Sequence, residues 1–124
     1  MEDKIMIHKR PQIVTLCGST RFKNEFLEAS KQLTARGVIV LSVGWFGHCE
    51  VDGIPDDVKQ KVDKLHFRKI DISDWVLVLD LNGYIGQSTH NEIEYALKNN
   101  KLVVLLSRLR LDYDKLPSEL IEQL

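Results

Sequence analysis

The fold is decided by residues 12–21, which read QIVTLCGSTR. The run at residues 12–17 is short and apolar and is followed by Gly-Ser-Thr, which predicts a buried strand that ends in a turn. Phe22, Phe26, Ala29 and Leu33 then recur at helical spacing, and Gly37 is placed to end that helix. The sequence therefore predicts a strand, a turn and a helix in this order.

The same alternation of strands and helices continues through the rest of the sequence. Apolar runs at residues 38–43, 75–80 and 102–106 predict three further strands, and residues 56–74 and 88–99 have helical spacing. Residues 117–124 are expected to add a short last helix. The apolar positions of the second and third helices, expected to face the core, are Val58, Val62, Leu65, Ile72, Ile93, Ala96 and Leu97.

This order of elements predicts an α/β fold. Strands that are apolar on both faces and separated by helices indicate a parallel sheet covered on both sides. Because crossovers are right-handed, we expect a doubly wound sheet of four strands in the order 2-1-3-4, with a fifth edge strand as the alternative. Such a chain is a single-domain, three-layer sandwich of the Rossmann-like or flavodoxin-like type.

Length and composition set limits on the class of protein. The sequence has 124 residues, of which 44% are hydrophobic, so we expect one domain over residues 1–124 with a flexible start at residues 1–10. A net charge of -1, without basic runs interleaved with aromatics, argues against a nucleic-acid polymer as partner. No signal peptide and no run of about 18 apolar residues is present, which argues against a membrane protein and indicates a cytoplasmic one.

The histidines and cysteines do not form a chelating motif along the chain. Metal-binding pairs are usually separated by a short, regular interval, as in CxxC. His48 and Cys49 are adjacent, and His8, His66 and His90 are scattered. We therefore expect neither a metal nor a cofactor, and we expect the thiols to be reduced.

The expected ligand site lies where the order of strands reverses. Ligands of doubly wound sheets bind there, beyond the carboxyl ends of the strands. Two glycine-bearing loops, residues 17–21 and 80–86, meet at this point and open helices. Gly18 allows a ligand to approach the backbone, and Ser19 and Arg21 offer donors for a phosphate at a helix N-terminus. The alternative is that a hydroxyl only caps the helix and that Arg21 is a solvated surface residue.

Other residues near this edge also have two interpretations. In residues 88–92, STHNE, Thr89 and Glu92 have the spacing of a capping box, which taken alone favours a structural role for Glu92. The functional interpretation is that Glu92 faces the cleft and does chemistry. Trp45 and Phe46 form either an apolar wall for a base or part of the core.

Three blocks of the sequence together resemble the nucleoside 2-deoxyribosyltransferase superfamily, and within it the 2'-deoxynucleoside 5'-phosphate N-hydrolases. Residues 13–21, IVTLCGSTR, are similar to the Cys-Gly-Ser-x-Arg of that family's first strand. Residues 70–78, IDISDWVLV, resemble the lead into its third strand. Residues 88–96, STHNEIEYA, followed by Lys101, are similar to the motif that contains its catalytic Glu.

The resemblance implies roles for particular residues. Glu92 would be the nucleophile of an N-glycosidic cleavage or transfer, and Ser19 and Arg21 would hold a 5'-phosphate. His66, which stands where the family often has Asp, would orient Glu92 or protonate the leaving base, and Asp80 would bind sugar hydroxyls. The other residues expected to contact the substrate are Cys17, Gly18, Trp45, Gly86, Ser88 and Thr89.

Three hypotheses follow from these observations. The first is an enzyme that cleaves or exchanges the N-glycosidic bond of a nucleotide or deoxynucleoside. The second is a binding module that holds a nucleotide without turnover, which is favoured because Thr15 and His66 replace the family's usual Tyr and Asp. The third is a small structural domain in which Glu92 is only a cap. Since the resembled enzymes complete their sites across subunits, we also expect at least a homodimer, formed through the helices after the first two strands.

Overall fold

A parallel sheet of four strands forms the centre of the molecule. The computed structural model describes residues 10–47 and 53–121. The strands are β1 (Ile13–Cys17), β2 (Ile39–Leu41), β3 (Trp75–Val78) and β4 (Leu102–Leu105). Their order is β2-β1-β3-β4 and every neighbouring pair is parallel. The predicted Rossmann-like α/β fold and its strand order are therefore confirmed, and the described residues add no fifth strand to the sheet.

Four helices flank this sheet in the described part of the chain. They are α1 (Lys23–Ala35), α2 (Asp56–Asp71), α3 (Gln87–Lys98) and the single turn α4 (Ser118–Ile121). Helix α2 ends three residues earlier than predicted, because the Ser73 hydroxyl donates to the Lys69 carbonyl at 2.8 Å and closes the last turn. No helix formed by the described residues is long and apolar enough to cross a lipid bilayer.

The side chains of the central strands alternate between two cores. Leu16 packs on one face of the sheet together with Leu33 of α1. Cys17 packs on the other face with Ile70 of α2 and Ala96 of α3. Helix α1 therefore covers one face, and α2 and α3 cover the other, which brings both of these helices close to the end of β1.

The buried face of α2 differs from the predicted one. Leu65 and Ile72 are 56% and 62% exposed, although their spacing predicts core positions. His66 is instead 6% exposed and Ile70 is fully buried. The helix is thus rotated so that an imidazole, and not the neighbouring leucine, faces the sheet, and Ile72 lies beyond the last helical residue. On α3, Ala96 is buried as predicted, whereas Leu97 is 57% exposed.

Asp74 ties the start of β3 to the start of β1. Its carboxylate accepts hydrogen bonds from the Arg10 guanidinium at 2.7 and 2.8 Å and from the Ile13 backbone N–H at 2.7 Å. The Asp74 N–H donates in turn to the Ile13 carbonyl at 2.7 Å. The hydrogen bond from Arg10, together with that from Ile13, holds the pKa of Asp74 below its ordinary value.

Replacement of Asp74 by Asn should expose this contribution to stability. A carboxyl whose pKa is lower in the folded protein stabilises it above the carboxyl's unfolded pKa of about 4, and this stabilisation is lost as the pH falls through the folded value. We expect Asp74→Asn to lower the Tm at pH 7 by roughly 2–5 °C. The difference from the parent should shrink below about pH 4, and thermal denaturation at several pH values measures it. An equal difference at pH 7 and at pH 2.5 would contradict this role.

Candidate functional site

A cleft of about 650 Å³ opens at the carboxyl ends of β1 and β3. This is the edge at which doubly wound sheets bind ligands, and the volume lies in the usual range of about 300–1,000 Å³ for small-molecule sites. Its walls come from the turn after β1, the segment after β2, helix α2 and the start of α3. Of the predicted site residues, the cleft is lined by Gly18, Ser19, Arg21, Trp45, His66, Gly86, Ser88, Thr89 and Glu92.

Asp80 does not reach the cleft. Asp80 is only 2% exposed. Its two carboxylate oxygens accept hydrogen bonds from the backbone N–H and the hydroxyl of Ser107 at 2.8 and 2.6 Å. These contacts hold the end of β3 to the segment that follows β4. The structure therefore gives Asp80 a structural contact in place of the expected contact with a sugar.

The two aromatic residues after β2 have different surroundings. Trp45 lines the cleft. Phe46 packs edge-to-face on Phe26 of α1, with ring centroids 5.5 Å apart, and joins the core on that side of the sheet. The core interpretation therefore holds for Phe46, whereas Trp45 lies on the wall of the cleft.

The capping-box interpretation of Glu92 is wrong. Helix α3 begins at Gln87 with Gly86 as its N-cap residue, so Thr89 is the third residue of the helix and not its cap. The Thr89 side chain points inward, and the residue is 3% exposed. Glu92 lies one turn further along the helix on the wall of the cleft, with 17% of its side chain exposed.

Cys17, His66 and Glu92 meet at the floor of this cleft, although β1, α2 and α3 contribute them separately. The His66 Nε2 atom lies 3.5 Å from Cys17 Sγ and 3.6 Å from Glu92 Oε1. Cys17 is fully buried, whereas His66 and Glu92 line the cleft. Because one imidazole nitrogen faces both neighbours, the arrangement differs from a nucleophile–His–acid triad, in which the two imidazole nitrogens each contact one partner.

Burial dominates the electrostatics of these three groups. Burial raises the pKa of Glu92 to about 7, and a hydrogen bond from Cys17 partly opposes that shift. Burial, followed by the charge of Lys69, lowers the pKa of His66 to about 4. Burial and the nearby Glu92 raise the pKa of the Cys17 thiol. Near neutral pH the imidazole is therefore uncharged, the thiol is protonated, and the Glu92 carboxyl titrates.

The turn after β1 shows the capping contact expected of it. The Ser19 hydroxyl caps the 3-10 turn Thr20–Phe22 by accepting from the Arg21 backbone N–H at 3.3 Å, and it also accepts from the Arg21 Nε–H at 3.0 Å. The Arg21 guanidinium lies 4.6 Å from the centre of the Tyr84 ring. Arg21 is thus exposed but held against an aromatic face at the rim of the cleft.

Gly18 is required by packing as well as by access to the cleft. A Cβ atom at this position would lie 3.2 Å from both the Cβ and the carbonyl oxygen of Leu79. Because such a contact is too close for a side chain to be added freely, the glycine lets the turn after β1 pass close to the end of β3. This close approach to Leu79 is a packing role that the sequence did not predict for Gly18.

Lys59, Lys69 and Tyr84 are among the cleft residues that the sequence did not identify as site residues. Lys59 and Lys69 of α2 line the cleft, and Lys69 donates to the Ser42 carbonyl at 2.6 Å while burial lowers its pKa. Both lysines lie at helical spacing from His66, and this spacing could have placed them on the same face of α2 as His66. Tyr84, which follows the Asn82-Gly83 turn, carries no periodic signal that would identify it.

Several residues weighed as metal ligands fall elsewhere. His8, His48 and Cys49 lie outside the described residues. His90 is exposed on α3, where its Nε2 atom lies 3.0 Å from Glu94. Of the histidines that the structure describes, only His66 belongs to the cleft.

Comparison with known proteins adds no family to this description. No protein-family model matches the chain, and no curated protein matches it either. The class of the protein therefore rests on its fold and its cleft. It is a Rossmann-like α/β protein with a buried carboxyl on the wall of a cleft at the carboxyl edge of its sheet.

The raised pKa of Glu92 has a consequence for stability. The folded chain disfavours ionisation of this carboxyl. The free energy of unfolding is therefore highest below the carboxyl's unfolded pKa and falls as the pH rises through about 7. Glu92→Gln removes the titration, and we expect it to raise the Tm at pH 8 by roughly 5 °C and to leave it unchanged near pH 4. Glu94→Gln, an exposed change on the same helix, is the matched control and should shift the Tm little at either pH. A lower Tm for Glu92→Gln at pH 8 would show that the carboxylate is stabilised in place.

Proposed function

We propose that the protein cleaves or exchanges the N-glycosidic bond of a nucleotide or deoxynucleoside, with Glu92 as the nucleophile. The observation that supports this most is the position of Glu92, a largely buried carboxyl on the wall of a cleft of about 650 Å³. Removal of the capping-box explanation strengthens the case, because Glu92 no longer has a structural role at the helix start. The similarity of the sequence to nucleoside 2-deoxyribosyltransferases suggests the same chemistry.

The cleft offers contacts for each part of a nucleotide. Ser19 and Arg21 provide a hydroxyl and a guanidinium at one end, which suit a 5'-phosphate. Trp45 provides a flat apolar surface for a base. The sugar then lies between these contacts, and its C1' atom faces Glu92.

The reaction proceeds in two displacements. The ionised Glu92 carboxylate attacks C1', and the C1'–N bond breaks with its electron pair leaving on the base, which takes up a proton from solvent. A water molecule, or a second base, then attacks C1' and releases Glu92 with its electron pair. Water completes a hydrolysis, with its proton passing to solvent, whereas a second base completes an exchange.

His66 acts in this scheme as a positioning residue. Its pKa of about 4 keeps the imidazole neutral near neutral pH, so the imidazolium that would protonate a leaving base is scarcely populated. Its Nε2 atom, 3.6 Å from Glu92 Oε1, limits the directions in which the carboxyl is free to point. We therefore propose that His66 orients Glu92 and does not protonate the leaving base.

A second candidate function is nucleotide binding without turnover. It is favoured by Thr15, which stands where the resembled family often has Tyr. The Thr15 hydroxyl is buried and hydrogen-bonded to Ser73, so it does not reach Glu92 as a donor. In this alternative the same cleft binds a nucleotide and releases it unchanged.

Base release by two matched variants separates these functions. Nucleosides and 5'-monophosphates are incubated with the protein, with and without a second free base, and the products are separated by chromatography. We expect Glu92→Gln to lower release by about a hundredfold or more, because an amide does not attack C1'. Glu94→Gln should retain the parental rate. Full activity of Glu92→Gln would end the nucleophile proposal, and binding without release by the parent would establish the second candidate.

Arg21 should determine the preference for phosphorylated ligands. A bidentate contact of Arg with phosphate contributes about 1.5–3 kcal/mol, so Arg21→Ala should weaken monophosphate binding by about tenfold or more. Its effect on unphosphorylated nucleosides should be small. Arg108→Ala, an exposed arginine outside the cleft, serves as control, and thermal-shift titration measures each affinity. Equal affinity of the parent for nucleosides and monophosphates would refute the phosphate contact.

We also propose that the protein self-associates. Leu27 of α1 and Leu65 of α2 are 55% and 56% exposed, which offers apolar surface on both helices of the expected contact. The two helices cover opposite faces of the sheet, so a closed dimer uses only one of them. We propose that this is α2, because its exposed Leu65 borders the cleft. Light scattering should give at least twice the monomer mass, reduced by Leu65→Glu but not by Leu27→Glu. A monomer mass across micromolar concentrations would contradict this.

A further inference from the structure

We propose that Cys17, His66 and Glu92 form a binding site for a divalent cation of the zinc type, and that the cation competes with substrate for Glu92. The three side chains supply one sulfur, one nitrogen and one oxygen ligand atom, all within 4.8 Å of one another. The metal-binding part of this proposal stands on geometry alone. The competition part rests on the proposed function.

The distances between the ligand atoms match a tetrahedral metal site. Zinc binds Cys sulfur at about 2.3 Å, His nitrogen at about 2.0–2.1 Å and carboxylate oxygen at about 2.0–2.2 Å. At tetrahedral angles, these bond lengths place sulfur and nitrogen, or nitrogen and oxygen, about 3.3–3.6 Å apart. The observed separations are 3.5 Å for Cys17 Sγ to His66 Nε2 and 3.6 Å for His66 Nε2 to Glu92 Oε1. Two of the three separations therefore already suit a central cation, and the third, from Cys17 Sγ to the Glu92 carboxylate, is within 4.8 Å.

The chemistry of the ligands and the charge of the site favour zinc over magnesium or calcium. Thiolate and imidazole suit zinc, whereas magnesium and calcium prefer oxygen ligands. One thiolate and one carboxylate together balance the two charges of the ion, so the buried site becomes neutral when the ion is bound. The exchange is also balanced in protons, since the ion replaces the Cys17 thiol proton and, where Glu92 is protonated, its carboxyl proton, and both pass to solvent.

Access and an open coordination position come from the cleft. His66 and Glu92 line its wall, so an ion can enter from that side, while Cys17 lies behind them. Three protein ligands leave the fourth tetrahedral position for water, directed at the cleft. Because the bound ion holds a Glu92 oxygen, that carboxylate no longer attacks C1'. Metal binding would thus switch off the proposed reaction reversibly.

Cobalt(II) is a spectroscopic probe for this site. We expect the chelator-treated, desalted full chain to bind Co²⁺ with a near-ultraviolet thiolate-to-cobalt band and intense visible bands typical of tetrahedral geometry. The thiolate band should be lost in Cys17→Ala, and Glu92→Gln and His66→Asn should weaken binding by more than about tenfold. Cys49→Ser and His90→Asn are the controls, and both should bind as the parent does. If circular dichroism shows that Cys17→Ala does not fold, the test of the site is the Co²⁺ affinity of Glu92→Gln and His66→Asn.

The outcomes separate this proposal from the proposed function. Absence of a thiolate band in the folded parent, or its loss in Cys49→Ser but not in Cys17→Ala, overturns the metal site whether or not base is released. Where base release depends on Glu92, added Zn²⁺ should suppress it in proportion to site occupancy, and a chelator should restore it. Unchanged or faster release at full occupancy would overturn the competition.

Discussion

Parallel pairing of β1 with β3 is the constraint on which the site depends. It carries both strands to the same edge, where the Leu79 N–H donates to the Cys17 carbonyl at 2.8 Å. Gly18 follows at a point where a Cβ atom would lie 3.2 Å from Leu79, so a larger residue would require Leu79 to shift. Since side chains alternate along a strand, the same pairing directs Cys17 toward α2 and α3, where it meets His66 and Glu92. The turn, the cleft and the buried cluster are consequences of one backbone register.

The cluster at the floor of the cleft opposes the stability of the fold. A carboxyl with a pKa of about 7 and an imidazole with a pKa of about 4 are both groups whose charged forms burial disfavours. An apolar residue at either position would fill the same space without this cost. The hydrogen bond from Cys17 and the charge of Lys59 offset the burial of Glu92 only in part, since its pKa stays at about 7, which is the pattern expected of a group retained for chemistry.

The fold was predictable from the sequence because it depends on local patterns. Short apolar runs and helical spacing identified the four strands and three main helices, and the handedness of crossovers then left few topologies, of which the expected one is observed. Contacts between distant parts of the chain were not predictable in this way. The meeting of Cys17, His66 and Glu92 depends on how α2 and α3 rotate against the sheet, and the apolar spacing of α2 pointed to Leu65 rather than His66. Asp80 was likewise placed at the correct edge, but its pairing with Ser107 involves a segment beyond β4.

Covalent trapping tests the central claim, that Glu92 attacks the sugar. The protein is incubated with a 2'-fluoro-arabinonucleoside 5'-monophosphate, whose fluorine slows breakdown of a glycosyl-enzyme, and is then analysed by intact mass and peptide mapping. The account predicts a sugar phosphate ester on the peptide that contains Glu92, formed as base is released and absent from Glu92→Gln. Base release with Glu92 unmodified, or an adduct on any other residue, would contradict it.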